Sequence, residues 1–189
     1  SIDIFIKHID IGGGIGIKYS KEEPPTFSDY AKTVKNILKD TDLKIIFEPG
    51  RALIGKAGVL LTEVEFIKNG PEKNFVIVNA AMNDLMRPTL YDAFHEIINL
   101  SESKSQKKKY DIVGPICETG DFLGKDRLLS VEENNILAIL DVGAYGMSMS
   151  SNYNSRPKVS EIMVDDDKFY MIRNRETFAD LINKEQLLP

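Results

Sequence analysis

Two textures of apolar and polar positions divide the chain. Near the start, Ile9-Asp10-Ile11 stops in Gly12-Gly13-Gly14 and resumes at Ile15 before Gly16 and Lys18, the pattern of a buried strand running into a turn. Residues without side chains let a backbone approach a ligand closely, and successive N–H groups can converge on a phosphate; an empty tight turn has the same composition. Tyr30, Val34, Ile37 and Leu38 then recur at helical spacing behind Ser28, a capping residue type, and Leu43-Lys44-Ile45-Ile46-Phe47 reads as a second strand. Strand, helix and strand at this length make one parallel crossover unit. The second strand ends in Glu48-Pro49-Gly50-Arg51, so both strand ends deliver glycine or polar chemistry to one side of a sheet, the side where α/β folds bind ligands. The opening run Ile2-Asp3-Ile4-Phe5-Ile6 leads almost directly into the glycine strand, and residues 1–8 cannot supply the neighbours a buried parallel strand needs; the chain reads as starting in mid-domain.

From about residue 58 the period changes. Val59 to Ile67, Phe75 to Asn79, Glu96 to Leu100, Tyr110 to Ile116, Ile136 to Val142 and Phe169 to Arg173 are short β-rich runs separated by turns, of which Asn69-Gly70-Pro71 is the plainest. They predict an antiparallel β domain. Ser101 to Lys109, with Lys107-Lys108-Lys109, reads as a solvated linker, and Glu176 to Leu188 as a final helix capped by Thr177.

Composition narrows the partners. With 24 Lys plus Arg against 29 Asp plus Glu the net charge is −5, and there is neither a basic stripe nor a Trp, which argues against nucleic acid. No apolar segment is long enough to span a bilayer and no secretory leader is signalled. A single cysteine can form no internal disulfide, which fits a reducing cytoplasm.

Several stretches carry chemistry. Gly50-Arg51-Ala52-Leu53-Ile54-Gly55-Lys56-Ala57 nearly fits a nucleotide phosphate loop, but Ala57 replaces the magnesium-binding hydroxyl; the glycine run fails the dinucleotide pattern at Ile17. Glu48, held between a strand end and Pro49, expects a cationic partner, either a protonated ring nitrogen of a cofactor or a base such as Arg51. Arg87 and Tyr91 share a face if their segment is helical, and the guanidinium fork suits a carboxylate. Cys117-Glu118 follows Gly114-Pro115 and precedes Thr119-Gly120-Asp121, so the thiol is presented on a turn with the access that proton exchange requires. Asp141-Val142-Gly143-Ala144-Tyr145-Gly146 ends a strand in small residues bearing one tyrosine, and Met147 to Asn154 reads as loop. His8 and His95 are not spaced for a metal site and read as structural.

In this order, the stretches Asp10 to Ile17, Glu48 to Arg51, Met82 to Tyr91, Gly114 to Asp121, Asp141 to Gly146 and Ser151 to Asn154 resemble the carboxyl-terminal part of the diaminopimelate decarboxylases, pyridoxal-phosphate enzymes of the alanine-racemase-like fold type. The resemblance implies an α/β plus all-β fold. Residues 1–57 would be the last two β/α units of a (β/α)8 barrel whose amino-terminal part is missing, 58–173 an antiparallel β-barrel or sandwich, and 174–189 a helix packing back on the barrel. It further implies that Gly12, Gly13, Gly14, Glu48, Pro49, Gly50, Arg51 and Tyr145 bind pyridoxal 5'-phosphate, with Glu48 on the pyridinium nitrogen. Arg51, Arg87 and Tyr91 would hold the distal carboxylate of the amino-acid substrate and Glu118 its distal ammonium, with Tyr145 assisting. Cys117 and Glu118 would reach a partner subunit's site across a homodimer, where Cys117 donates a proton. The family's Schiff-base lysine lies outside this chain, and Lys18 and Lys56 do not sit in its motif, so the chain alone is expected to be inactive. A regulatory module derived from such an enzyme, or a decarboxylase of another basic amino acid, are the competing expectations.

Overall fold

The computed structural model describes residues 5–188. The first part of the opening apolar run, Ile2 to Ile4, lies outside the described residues. Strand β1 (His8–Asp10) pairs in parallel with β2 (Lys44–Ile46), joined by helix α1 (Phe27–Ile37), as the crossover spacing predicts. The cap of α1 is Thr26, not Ser28: its hydroxyl accepts from the Asp29 N–H at 3.1 Å and donates to the Asp29 carboxylate at 2.7 Å. Asp29 at the third helical position makes Thr26 the better start, because one hydroxyl and one carboxylate then serve the first turn together. No residue of α1 is buried; Tyr30 ties it to the strands, with its ring edge-on to Phe47. After β2 the chain turns into α2 (Gly50–Ile54) and a 3₁₀ turn over Gly55–Ala57, so the near phosphate-loop stretch is helical.

The second part is a six-stranded sheet of β3 (Leu60–Asn69), β4 (Asn74–Val78), β5 (Ile97–Asn99), β6 (Lys108–Val113), β7 (Phe122–Leu129) and β8 (Ile136–Ile139), with helix α3 (Arg87–Tyr91) between β4 and β5. The order is β5-β8-β3-β4-β6-β7. The sheet curls until Gly124 of one edge strand faces Ile97 of the other, nearly closing around Val64, Val76, Val78, Leu85, Ile112, Leu123, Leu137 and Ile139.

Three features differ from the sequence reading. The sheet is not wholly antiparallel, since β4 and β6 run parallel; the α3 and β5 excursion between them is long enough for a crossover. Strand β7 escapes the alternation test because Asp126 takes a left-handed φ of 53° in an irregular stretch of its pairing with β6. The lysine-rich linker ends earlier than expected, with Lys108 and Lys109 already paired to Leu129 and Leu128.

A hairpin of β9 (Glu161–Asp165) and β10 (Lys168–Arg173) forms its own two-stranded sheet, exposed on both faces, with Val164 71% and Phe169 78% exposed. Thr177 caps the last helix, α4 (Phe178–Ile182), in a reciprocal box with Asp180, but the helix is shorter than its composition suggested. Among the described residues no helix is long and apolar enough to cross a membrane.

A backbone seam joins the two parts. The Val142 and Gly143 N–H groups donate to the Gly58 and Gly55 carbonyls, both at 3.0 Å, and a β-carbon on Gly143 would overlap the Ile54 carbonyl oxygen. The close approach is open only to glycine. Gly143→Ala is therefore expected to lower unfolding stability by about 1–3 kcal/mol, read as a fall in the urea midpoint; an unchanged midpoint would show that the seam yields freely.

Candidate active site

The glycine turn lies against the end of β2. Gly12 and Gly14 take φ of 64° and 78°, and a β-carbon on Gly13 would strike the Glu48 carbonyl, so the two strand ends meet through backbone alone. The Gly12 carbonyl accepts from the Glu48 N–H at 2.9 Å, the Gly12 N–H donates to the Asp10 carboxylate at 2.8 Å, and Tyr30 donates to the Gly13 carbonyl at 3.3 Å. Among the described residues the Gly13 and Gly14 N–H groups have no acceptor.

These residues line a cavity of about 160 Å³ formed by Gly13, Gly14, Ile15, Glu48, Pro49, Gly50, Arg51 and Tyr145. Arg51 enters from α2, and its buried Nε has no hydrogen-bond partner. Tyr145 arrives from the far end of the sheet, carried in by the Gly143 seam and held at a left-handed φ of 64°. Gly12 supports the wall without lining it. The Gly50 N–H is already given to the Glu48 carbonyl, and the Glu48 carboxylate has no ion-pair partner among the described residues, Arg51 included. Lys56 pairs instead with Asp141 at 3.7 Å.

A second group of predicted residues sits outside that lining. Cys117 and Glu118 are exposed on the turn after β6, where the Gly120 N–H donates to Glu118 Oε1 at 3.2 Å and Tyr153 stands 3.5 Å from Oε2. Asp121 pins this turn: one carboxylate oxygen accepts from the Met82 N–H and the other from the Ile116 N–H, both at 2.7 Å. Burial pushes its carboxyl above the usual range, and those two N–H groups pull the other way. Thr89 of α3 donates to the Gly120 carbonyl at 2.6 Å, so α3 and the cysteine turn are one assembly. Arg156 adds a brace, donating to the Asn83 side chain at 2.9 Å and the Asn79 carbonyl at 2.7 Å.

Arg87 and Tyr91 start and end α3 but meet different surroundings. Tyr91 is exposed, whereas Arg87 is buried at 7% exposure. Its Nη1 donates to His95 Nε2 at 2.9 Å, and its guanidinium lies 4.6 Å from the Tyr19 ring centroid. Since a guanidinium only donates, Nε2 is the acceptor and the proton is on Nδ1, which donates to the Leu140 carbonyl at 2.8 Å. Burial lowers the His95 pKa, the Leu140 carbonyl opposes that, and the Arg87 charge reinforces it.

Tyr19, Thr89, His95, Asp121, Tyr153 and Arg156 were not assigned site roles from sequence. Thr89, Asp121 and Tyr153 lay inside quoted motifs; Tyr19, His95 and Arg156 act through long-range contacts that leave no local spacing signal.

The curled sheet docked on the glycine cradle beside the half-buried Arg51 matches the carboxyl-terminal sheet unit of the pyridoxal-dependent decarboxylases. The chain belongs to that family, whose model "Pyridoxal-dependent decarboxylase, C-terminal sheet domain" matches residues 5–143. A diaminopimelate decarboxylase of Pseudomonas fluorescens is 51% identical over 186 residues, covering 98% of this chain and 45% of the relative. One from Vibrio cholerae is 52% identical over 187 residues with the same coverage. The crystal structure of diaminopimelate decarboxylase from M. jannaschii in co-complex with L-lysine is 42% identical with a TM-score of 0.92, over 98% of this chain and 44% of that one. The chain thus spans less than half the length of these relatives.

His95 sets a pH dependence. Its folded pKa lies below the unfolded value of about 6.5, so its contribution is full above that value and is lost as pH falls through it toward the folded pKa. Between about pH 7.5 and 5.5 the urea midpoint should fall, and His95→Gln should flatten that limb. A slope unaltered by the substitution would assign it to other groups.

Proposed function

We propose that this chain is the carboxyl-terminal part of a diaminopimelate decarboxylase, which converts meso-2,6-diaminopimelate to L-lysine and CO2. The observation that carries the reading is one cavity lined by Arg51, whose buried Nε has no partner, and by Gly13 and Gly14, whose N–H groups have no acceptor among the described residues, a donor set that asks for an anion. The residues fit pyridoxal 5'-phosphate, which when bound supplies the electron sink for decarboxylation. Arg51 and the Gly12-to-Gly14 backbone would receive its phosphate, with Pro49 and Gly50 shaping the wall and Tyr145 closing it. Glu48, its carboxylate free of any arginine or lysine among the described residues, would keep the ring nitrogen protonated.

Arg87 and Tyr91, with Arg51, would hold the distal carboxylate of the substrate, and Glu118 its distal ammonium, with Tyr145 assisting. Cys117 would donate its thiol proton to the carbon that CO2 leaves, and take a proton back from solvent. Cys117 and Glu118 are exposed and outside the cavity of their own chain, which supports their serving a partner subunit in a homodimer. Residues 1–57 would complete a (β/α)8 barrel as its last two β/α units, with 58–173 the β domain and 174–189 returning to that barrel. The uncovered α1 and the parallel β1–β2 pair support this, and an exposed lone thiol suits the cytoplasm.

The isolated chain is expected to release no CO2 from diaminopimelate, and co-expression with a barrel segment bearing the Schiff-base lysine should restore release. In that complex Cys117→Ala should lower kcat by about 10²–10⁴-fold. A complemented complex that binds cofactor yet shows no turnover, or prefers another basic amino acid, would count against the assignment.

A further inference from the structure

We propose that His95 is a positioning residue for substrate recognition: it fixes the Arg87 guanidinium so that its free edge receives the distal carboxylate. The inference rests on the assignment of Arg87 to that carboxylate. Arg87 is buried, yet no Asp or Glu pairs with it among the described residues; its one side-chain hydrogen bond goes from Nη1 to the neutral Nε2 of His95. A carboxylate in that place would neutralise the charge and compete with the substrate. An imidazole fixes the fork and leaves the positive charge, together with the Nε–Nη2 edge, for a planar anion to bind through two parallel bonds.

The ring is itself immobilised. Nδ1–H donates to the carbonyl of Leu140, the residue before the Asp141-to-Tyr145 segment, so the same imidazole ties α3 to the strand end that carries Tyr145 into the cofactor cavity. Tyr19 completes the clamp, edge-on to His95 with centroids 5.2 Å apart while its face meets the guanidinium. A buried cation with only a neutral partner is costly unless an anion joins it, so the arrangement is completed by a substrate carboxylate.

Two amides separate the two hydrogen bonds of His95. In the complete decarboxylase carrying this chain, His95→Gln places its carbonyl near the Nε2 position and keeps the Arg87 acceptor, whereas His95→Asn reaches only the Nδ1 position. The Asn variant should raise KM for diaminopimelate about ten- to a hundredfold with kcat little changed, and the Gln variant should stay within about threefold of the parent KM. Equal KM values for the two amides, or a loss of kcat with KM intact, would overturn the proposal. Arg87→Ala separates the layers: an unchanged KM removes the Arg87 assignment itself, while a raised KM there with a parental KM in His95→Asn sinks the His95 role alone. If the Asn variant does not accumulate, His95→Leu, which fills the volume without an acceptor, takes its place with the same opposing outcomes.

Discussion

The contact at Gly143 is the constraint on which the rest depends. Two backbone segments meet there with no side chain between them, one leaving the curled sheet and the other leaving the α/β part. Close approach of this kind fixes relative position more tightly than apolar side chains can, because two peptide hydrogen bonds set the register. Tyr145 follows two residues later, and its left-handed backbone turns the phenol toward Arg51 and the glycine cradle. Ile15 and Ile17 are buried in the segment after the cradle, Ile15 lining the cavity and Ile17 packing against Gly55 at the seam. The cavity is thus completed by docking between the two parts, the first lining most of it and the second closing it with Tyr145.

Charge is distributed across the molecule by the same economy. Arg51 and Arg87 are both kept from acidic partners, one with an empty Nε and the other resting on a neutral imidazole. By contrast the structural acids are saturated: Asp121 by two backbone N–H groups, Asp84 by the Ala81 N–H and the Asn83 amide, with Arg156 3.9 Å away. Acids that hold loops are satisfied internally, and the arginines proposed to meet ligands are not. The exposed apolar surface of α1 follows a similar logic, being a face that the proposed remainder of a barrel would cover.

Much of this was legible in local pattern. The glycine turn, the crossover and Glu48-to-Arg51 at a strand end are short-range signals, and the structure places Gly13, Gly14, Glu48, Gly50, Arg51 and Tyr145 around one cavity. What escaped was long-range or irregular. The bulged pairing hid β7, since Gly124, Lys125 and Asp126 break the two-residue alternation. Parallel β4–β6 pairing cannot be seen from either run alone, and it is set by what lies between them. His95 reads from sequence as structural, and its bond to Arg87 eight residues away depends on a turn after α3 that no periodicity announces. Ser28 lost to Thr26 because capping is decided by the residue three positions on, not by the capping residue alone.

Both Asp121 oxygens are occupied, one by the loop leading into α3 and the other by the turn bearing Cys117, and Thr89 bolts the same pieces together on the far side. Helix α3 and the thiol turn therefore form one mechanical block with a set span. Sliding one loop past the other would break the Met82–Asp121 and Thr89–Gly120 bonds together, so the block behaves like a machinist's jig. Its reach changes by swapping the side chains it carries, or by exchanging the whole fixture, and not by adjustment in place.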